Sequence, residues 1–170
     1  MDKKIILDVI FLLAAGFVAW QYVAPSMKGT LSSWYDPVVT PGEVEAAKWS
    51  YDNLPHQRLF AADLFACEML TAVAFQVCSV GGAWELADNP NQRFLDNQQF
   101  FLTNSSQEAY GLVTKYGIDY AFVADRSGFY AYGWKQPALE KFSDSDYFEK
   151  IYGKDGVNIF KVKQSGARMQ

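Results

Sequence analysis

Residues 5–24 read IILDVIFLLAAGFVAWQYVA, an apolar run in which Asp8 is the single formal charge. At about 1.5 Å of rise per residue, a helix of that length matches a hydrocarbon layer about 30 Å thick. The segment is therefore expected to be one transmembrane helix, and the rest of the chain must fold without it. Asp8 lies one turn from the start, where Lys4 at i−4 can pair with it and both can reach the headgroups. Trp20 and Tyr22 fall at the opposite end, the position that amphipathic rings favour at a membrane boundary. Lys3 and Lys4 precede the run and Lys28 is the only cation soon after it, so the positive-inside rule puts the amino terminus in the cytoplasm and the remainder outside. A cleaved signal peptide is the competing reading, but the run is longer than a usual h-region and no A-x-A site follows it. Gly16, within Ala14-Ala15-Gly16, gives the anchor a small-residue face for contact with another membrane helix.

Residues 1–25 form the expected anchor, 26–39 a connector, 40–163 one extracytoplasmic domain and 164–170 a tail. The formal net charge is −4 with no run of Lys or Arg, which argues against nucleic acid as a partner. The expected anchor implies the lipid bilayer as a partner, and its small-residue face suits other integral membrane subunits. Cys67 and Cys78 lack CxxC spacing and sit in apolar surroundings, ACEML and QVCSV. They read as buried free thiols or, in an oxidising compartment, as a disulfide.

Within the outer domain, Thr40-Pro41-Gly42-Glu43 is a capping box with proline at the first helical position. The helix it starts is expected to run to about Leu54, burying Val44, Ala47, Tyr51 and Leu54. Residues 58–62 read as a strand, 64–75 as a helix turning Met69, Leu70 and Val73 inward, and 77–80 as a second strand. After Gly81-Gly82, helices follow over about 91–101 and from a second capping box, Ser105 with Glu108, to Tyr116 and Gly117. Residues 118–124, IDYAFVA, are the clearest strand. A short helix near 137–142 and a hairpin of 148–152 with 157–162 close the chain. The expected class is α/β: one N-terminal transmembrane helix, then a mostly parallel βαβαβ sheet with helices and a C-terminal antiparallel hairpin.

Signatures of catalysis are missing: there is no GxSxG, P-loop, HExxH or GxGxxG, and His56 is the only histidine. It sits in a proline-bounded turn with no nucleophile beside it, and its solitude excludes a histidine-rich metal site. No catalytic residue, metal or cofactor is assigned. In an open α/β sheet ligands gather at the carboxyl ends of strands, which here carry Asp63, Gly81, Gly82 and Asp125. The same residue types serve equally as helix caps and turns. Residues 143–146, SDSD, lack the spaced ligands of a calcium loop and read more simply as a capping turn. Phe129, Tyr130, Tyr132 and Trp134 crowd one segment; they suit contact with a partner, a glycan or the membrane interface, and equally the cover of a sheet edge. Asn104-Ser105-Ser106 is a formal N-glycosylation acceptor.

The run TPGEVEAAKWSYDNLP, the strand RLFAAD, the paired glycines after the second strand, the helix SSQEAYGLVTKYG feeding IDYAFVAD, and the ending FEKIYGKDGVNIFKVK together resemble a known pattern. It is that of the extracytoplasmic tail of prokaryotic polytopic glycosyltransferases of the GT-C type, related to the oligosaccharyltransferase catalytic subunit. Those enzymes carry their acidic metal-binding motifs between many membrane helices, whereas one such helix is expected here. The resemblance implies a non-catalytic, single-pass accessory or scaffold subunit of a membrane complex, or a membrane-anchored module that binds glycan or lipid-linked sugar.

Overall fold

A computed structural model describes residues 39–81, 88–124 and 137–163. The expected anchor at 5–24, with Gly16, lies outside the described residues, and no helix among them is long and apolar enough to cross a membrane. In chain order the elements are α1 (Pro41–Asn53), β1 (Leu59–Ala61), α2 (Leu64–Ala74), β2 (Val77–Cys78), α3 (Pro90–Leu102), α4 (Ser106–Lys115) and β3 (Tyr120–Ala124). A 3-10 helix (Glu140–Ser143), β4 (Phe148–Lys154) and β5 (Val157–Val162) follow. The βαβαβ order expected from the sequence is present.

β3 is buried along its whole length because it lies mid-sheet and both of its faces are covered. The strand order is β2-β1-β3-β5-β4. β1 runs parallel to β2 and to β3, whereas β5 is antiparallel to both β3 and β4. The sheet is therefore mixed rather than mostly parallel. Its parallel registers are short, Leu59 with Val77 and Phe60 with Cys78 on one side, while the β3–β5 ladder runs from Tyr120–Lys161 to Ala124–Val157. The hairpin turns through Asp155 and Gly156, both at positive φ (50° and 76°), the combination that matches strand twist in a two-residue loop.

Side chains alternate across β3 and divide the core in two. Tyr120 and Phe122 join Phe60, Ile159, Ala46, Ala47, Ala66 and Leu70, which places α1 and α2 on one face. Ala121 and Val123 join Phe100, Phe101, Ala109, Val113, Phe142 and Phe148, which places α3, α4 and the 3-10 helix on the other. The result is a helix–sheet–helix sandwich.

Two local expectations require correction. α1 buries Glu43, Ala46, Ala47 and Ser50, leaving Val44 and Leu54 half-buried and Tyr51 43% exposed. Small side chains let α1 lie close to α2, and Glu43 is drawn inward because its carboxylate accepts the Thr40 amide at 2.7 Å. That box is complete, with the Glu43 amide donating to Thr40 Oγ1 at 3.3 Å. The second box is half made: Ser105 Oγ accepts the Glu108 amide at 3.2 Å, but the Glu108 carboxylate turns to Thr103 Oγ1 and to Gln99 Nε2. Thr103 Oγ1, not Glu108, accepts the Ser105 amide. Gly42 belongs to the packing as well. A β-carbon there would stand 2.8 Å from the Asp155 carbonyl, so the first turn of α1 abuts the hairpin turn.

Candidate functional site

The chain leaves β1 for β2 on one side and returns to β3 on the other, so the strand order reverses at the carboxyl end of β1, where open sheets of this kind form their crevices. Asp63 lies two residues beyond the end of β1 and is 1% exposed. Its Oδ1 accepts the amides of Phe65 at 2.9 Å and Ala66 at 3.0 Å, capping α2. Asn97, reaching in from α3, donates to the Ala62 carbonyl at 3.1 Å and accepts from Ser79 Oγ at 3.0 Å. One amide thus ties together the ends of β1 and β2. Gly81 lies over the same turn of α2 at φ 100°, and a β-carbon there would be 2.7 Å from Cys67 Cβ. Asp63 and Gly81 therefore converge on the start of α2. Gly82 and Asp125 lie outside the described residues, as do Phe129, Tyr130, Tyr132 and Trp134.

The remaining sequence candidates are spread apart. His56 is exposed, stacked on Tyr51 at a centroid distance of 4.8 Å, with Nε2 3.2 Å from the Tyr51 carbonyl oxygen. Asn104 is exposed in the link between α3 and α4. Asp144 Oδ1 accepts the Asp146 amide at 3.1 Å, an ordinary Asx turn, and no three His, Cys, Asp or Glu among the described residues are grouped to hold a metal ion.

Two polar centres escaped the sequence. Between α3 and α4, Asp96 accepts Lys115 Nζ at 2.6 Å, Tyr116 OH at 2.6 Å and Gln92 Nε2 at 2.7 Å. Burial pushes its carboxyl upward, but these three donors outweigh burial and leave it below the ordinary value. The Arg93 guanidinium lies 4.9 Å from the Tyr116 ring centroid beside this group. Lys141 is the second centre, 1% exposed, with Nζ donating to the carbonyls of Phe101 (2.8 Å), Thr103 (3.0 Å) and Ala138 (2.8 Å). The rings of Phe100 and Phe142 flank it. Burial lowers its pKa to about 8, against the raising influence of Glu108. Each centre draws two of its three partners from 19 to 40 residues away, so no local pattern announces it.

A cleft of about 610 Å³ opens at the opposite end of the parallel strands, lined by Arg58, Asp119, Tyr120, Glu149, Lys161 and Lys163 among others. A second, of about 550 Å³, lies over the hairpin beside Phe142, Phe148 and Phe160. The first is mixed in charge and suits a polar ligand; the second is more apolar.

No protein-family model matches the sequence, and no curated protein matches it. Among solved structures, a crystal structure of the C-terminal globular domain of oligosaccharyltransferase from Archaeoglobus fulgidus is similar over 75% of this chain and 100% of that one, with TM-score 0.57 and 16% identity. The two share a fold. Another crystal structure of an oligosaccharyltransferase C-terminal globular domain from the same organism covers 76% of this chain and 99% of its own, at TM-score 0.46 and 15% identity. At such identity the likeness carries the architecture alone. It agrees with the part of the sequence resemblance that concerns the α/β domain.

Proposed function

We propose that this domain is a non-catalytic accessory or scaffold module of a larger membrane protein complex, displayed outside the cytoplasm by the apolar segment at residues 5–24. The observation that carries this reading is the shared architecture with a globular domain of an oligosaccharyltransferase. The chemistry at the strand ends points the same way. Asp63 and Asn97 occupy the place where an open sheet would present ligand-binding groups, and both are engaged in capping α2 and joining β1 to β2. Asp96 and Lys141 likewise hold helices together. A domain whose buried polar groups are used in this way acts through its surface.

Purification of the full chain in mild detergent, followed by identification of co-purifying subunits, tests the proposal. Retention of integral membrane partners is expected, weakened by Gly16→Leu through disturbed helix packing. A monodisperse monomer that keeps no partner, or turnover of any sugar donor by the purified chain, would overturn it.

A second reading, a membrane-anchored module that binds glycan or lipid-linked sugar for a glycosyltransferase, is favoured by the mixed-charge cleft of about 610 Å³. Binding of an oligosaccharide that is lost on Arg58→Ala together with Glu149→Ala would support it over the first.

A further inference from the structure

Cys67 stands on the first full turn of α2, wholly buried, and Cys78 ends β2 with its side chain half-buried. They belong to one core on the same face of the sheet. The chain leaving β2 closes around Cys67. Cys78 pairs with Phe60 in the ladder and packs on the core that holds Cys67, close enough to act on its thiol, and the bare α-carbon of Gly81 presses where a β-carbon would stand 2.7 Å from Cys67 Cβ. Both thiols are reduced in this structure. β2 forms the outer edge of the sheet, and its ladder to β1 is short, Leu59 with Val77 and Phe60 with Cys78.

We infer that Cys67 and Cys78 form a redox pair that closes to an intramolecular disulfide when offered a small disulfide oxidant of the glutathione class, pinning edge strand β2 to α2. The half-buried Cys78, as thiolate, attacks one sulfur of oxidised glutathione and expels one glutathione thiolate, which takes up a proton. The Cys78–glutathione mixed disulfide then faces Cys67. Once Cys67 gives its proton to solvent, its sulfur attacks Cys78 Sγ, the protein disulfide forms, and the second glutathione leaves as thiol. Two protein thiols are oxidised and one glutathione disulfide is reduced, so atoms and electrons balance. Burial, the larger cause, holds the Cys67 thiol well above its ordinary value and persists after Cys78 has reacted, so the closing step is slow at neutral pH and quickens as pH rises.

The test treats the full chain in mild detergent with oxidised glutathione at neutral and alkaline pH, quenches by alkylation under denaturing conditions, and maps the peptides by mass. The expected product has lost two hydrogens, yields a crosslinked peptide joining Cys67 to Cys78, carries no glutathione, and melts several degrees higher until a dithiol reductant reverses the shift. Cys67→Ser should halt at a stable glutathione adduct on Cys78, and Cys78→Ser should leave Cys67 unmodified. If either variant fails to fold, the wild-type peptide map still decides the matter. Accumulation of a Cys78–glutathione adduct that never closes, a disulfide between two copies of the chain, or two alkylatable cysteines after exhaustive oxidation would each overturn the inference.

Discussion

Lys141 puts an ammonium group where water does not reach, and its surroundings explain why the site tolerates it. Three hydrogens meet the carbonyls of Phe101, Thr103 and Ala138, closing the carboxyl end of α3 onto the 3-10 helix. Desolvation nevertheless favours the neutral amine and pulls the folded-state pKa to about 8, below the ordinary 10.5. Between those two values the unfolded chain holds more protons than the folded one, so the contribution of this group makes stability rise with pH from about 8 to about 10.5. Lys141→Met removes the donor from three carbonyls and also the buried charge, which offset in part. A net loss of about 1–3 kcal/mol at pH 7 is expected. Urea midpoints taken across the alkaline range should show the rise in the native chain and a flatter profile in the variant; parallel profiles would contradict it.

At the scale of elements, helix starts carry much of the specification. α1 begins with a complete capping box and a proline at its first position, and Gly42 allows that first turn to touch the hairpin turn at Asp155. The amino end of α1 and the far end of the sheet are therefore fixed together. Replacing Thr40 and Glu43 by alanine together is expected to cost about 1–2 kcal/mol, since both reciprocal bonds are lost. Thermal melting measures it, and an unchanged transition would place the start of the helix elsewhere. α4 behaves differently: the Glu108 side chain serves Thr103 and Gln99, so the pattern that looks like a box in the sequence instead ties α4 to the end of α3.

The whole domain is organised by a sheet that separates two apolar cores, with Phe60 and Phe122 in one and Phe100 and Phe101 in the other. Neither helix layer can leave without exposing a face of β3. Phe60→Ala and Phe100→Ala, on opposite faces and each fully buried, are each expected to cost about 3–5 kcal/mol while unfolding stays a single transition. Denaturant unfolding followed by near- and far-UV circular dichroism checks this. Two separated transitions in either variant would mean that the layers are independent.

The sequence by itself determined the elements and their order. Its signals there are local: Thr40 with Glu43 starts α1, the apolar run at 118–124 holds the central strand, and the polar, glycine-flanked stretch 153–156 marks the hairpin, whose turn the structure narrows to Asp155 and Gly156. Such features act within a few residues, so spacing along the chain suffices to read them. Only the tertiary structure decided which face of α1 is buried, that β5 lies beside β3, and what the polar groups do. Val44, Ala47, Tyr51 and Leu54 looked like a core stripe, yet of these only Ala47 is buried, with Ala46 and Ser50 beside it, while Val44 and Leu54 pack at the margin and Tyr51 is exposed. Asp63 read equally as a ligand group at a strand end and as a helix cap, and its Oδ1 caps α2. Lys141 finds two of its three acceptors about forty residues away, and Cys67 comes near Cys78 only because α2 folds back over β2. Partners chosen by three-dimensional approach leave no periodic trace, since what selects them is burial and the need to satisfy every polar group it traps.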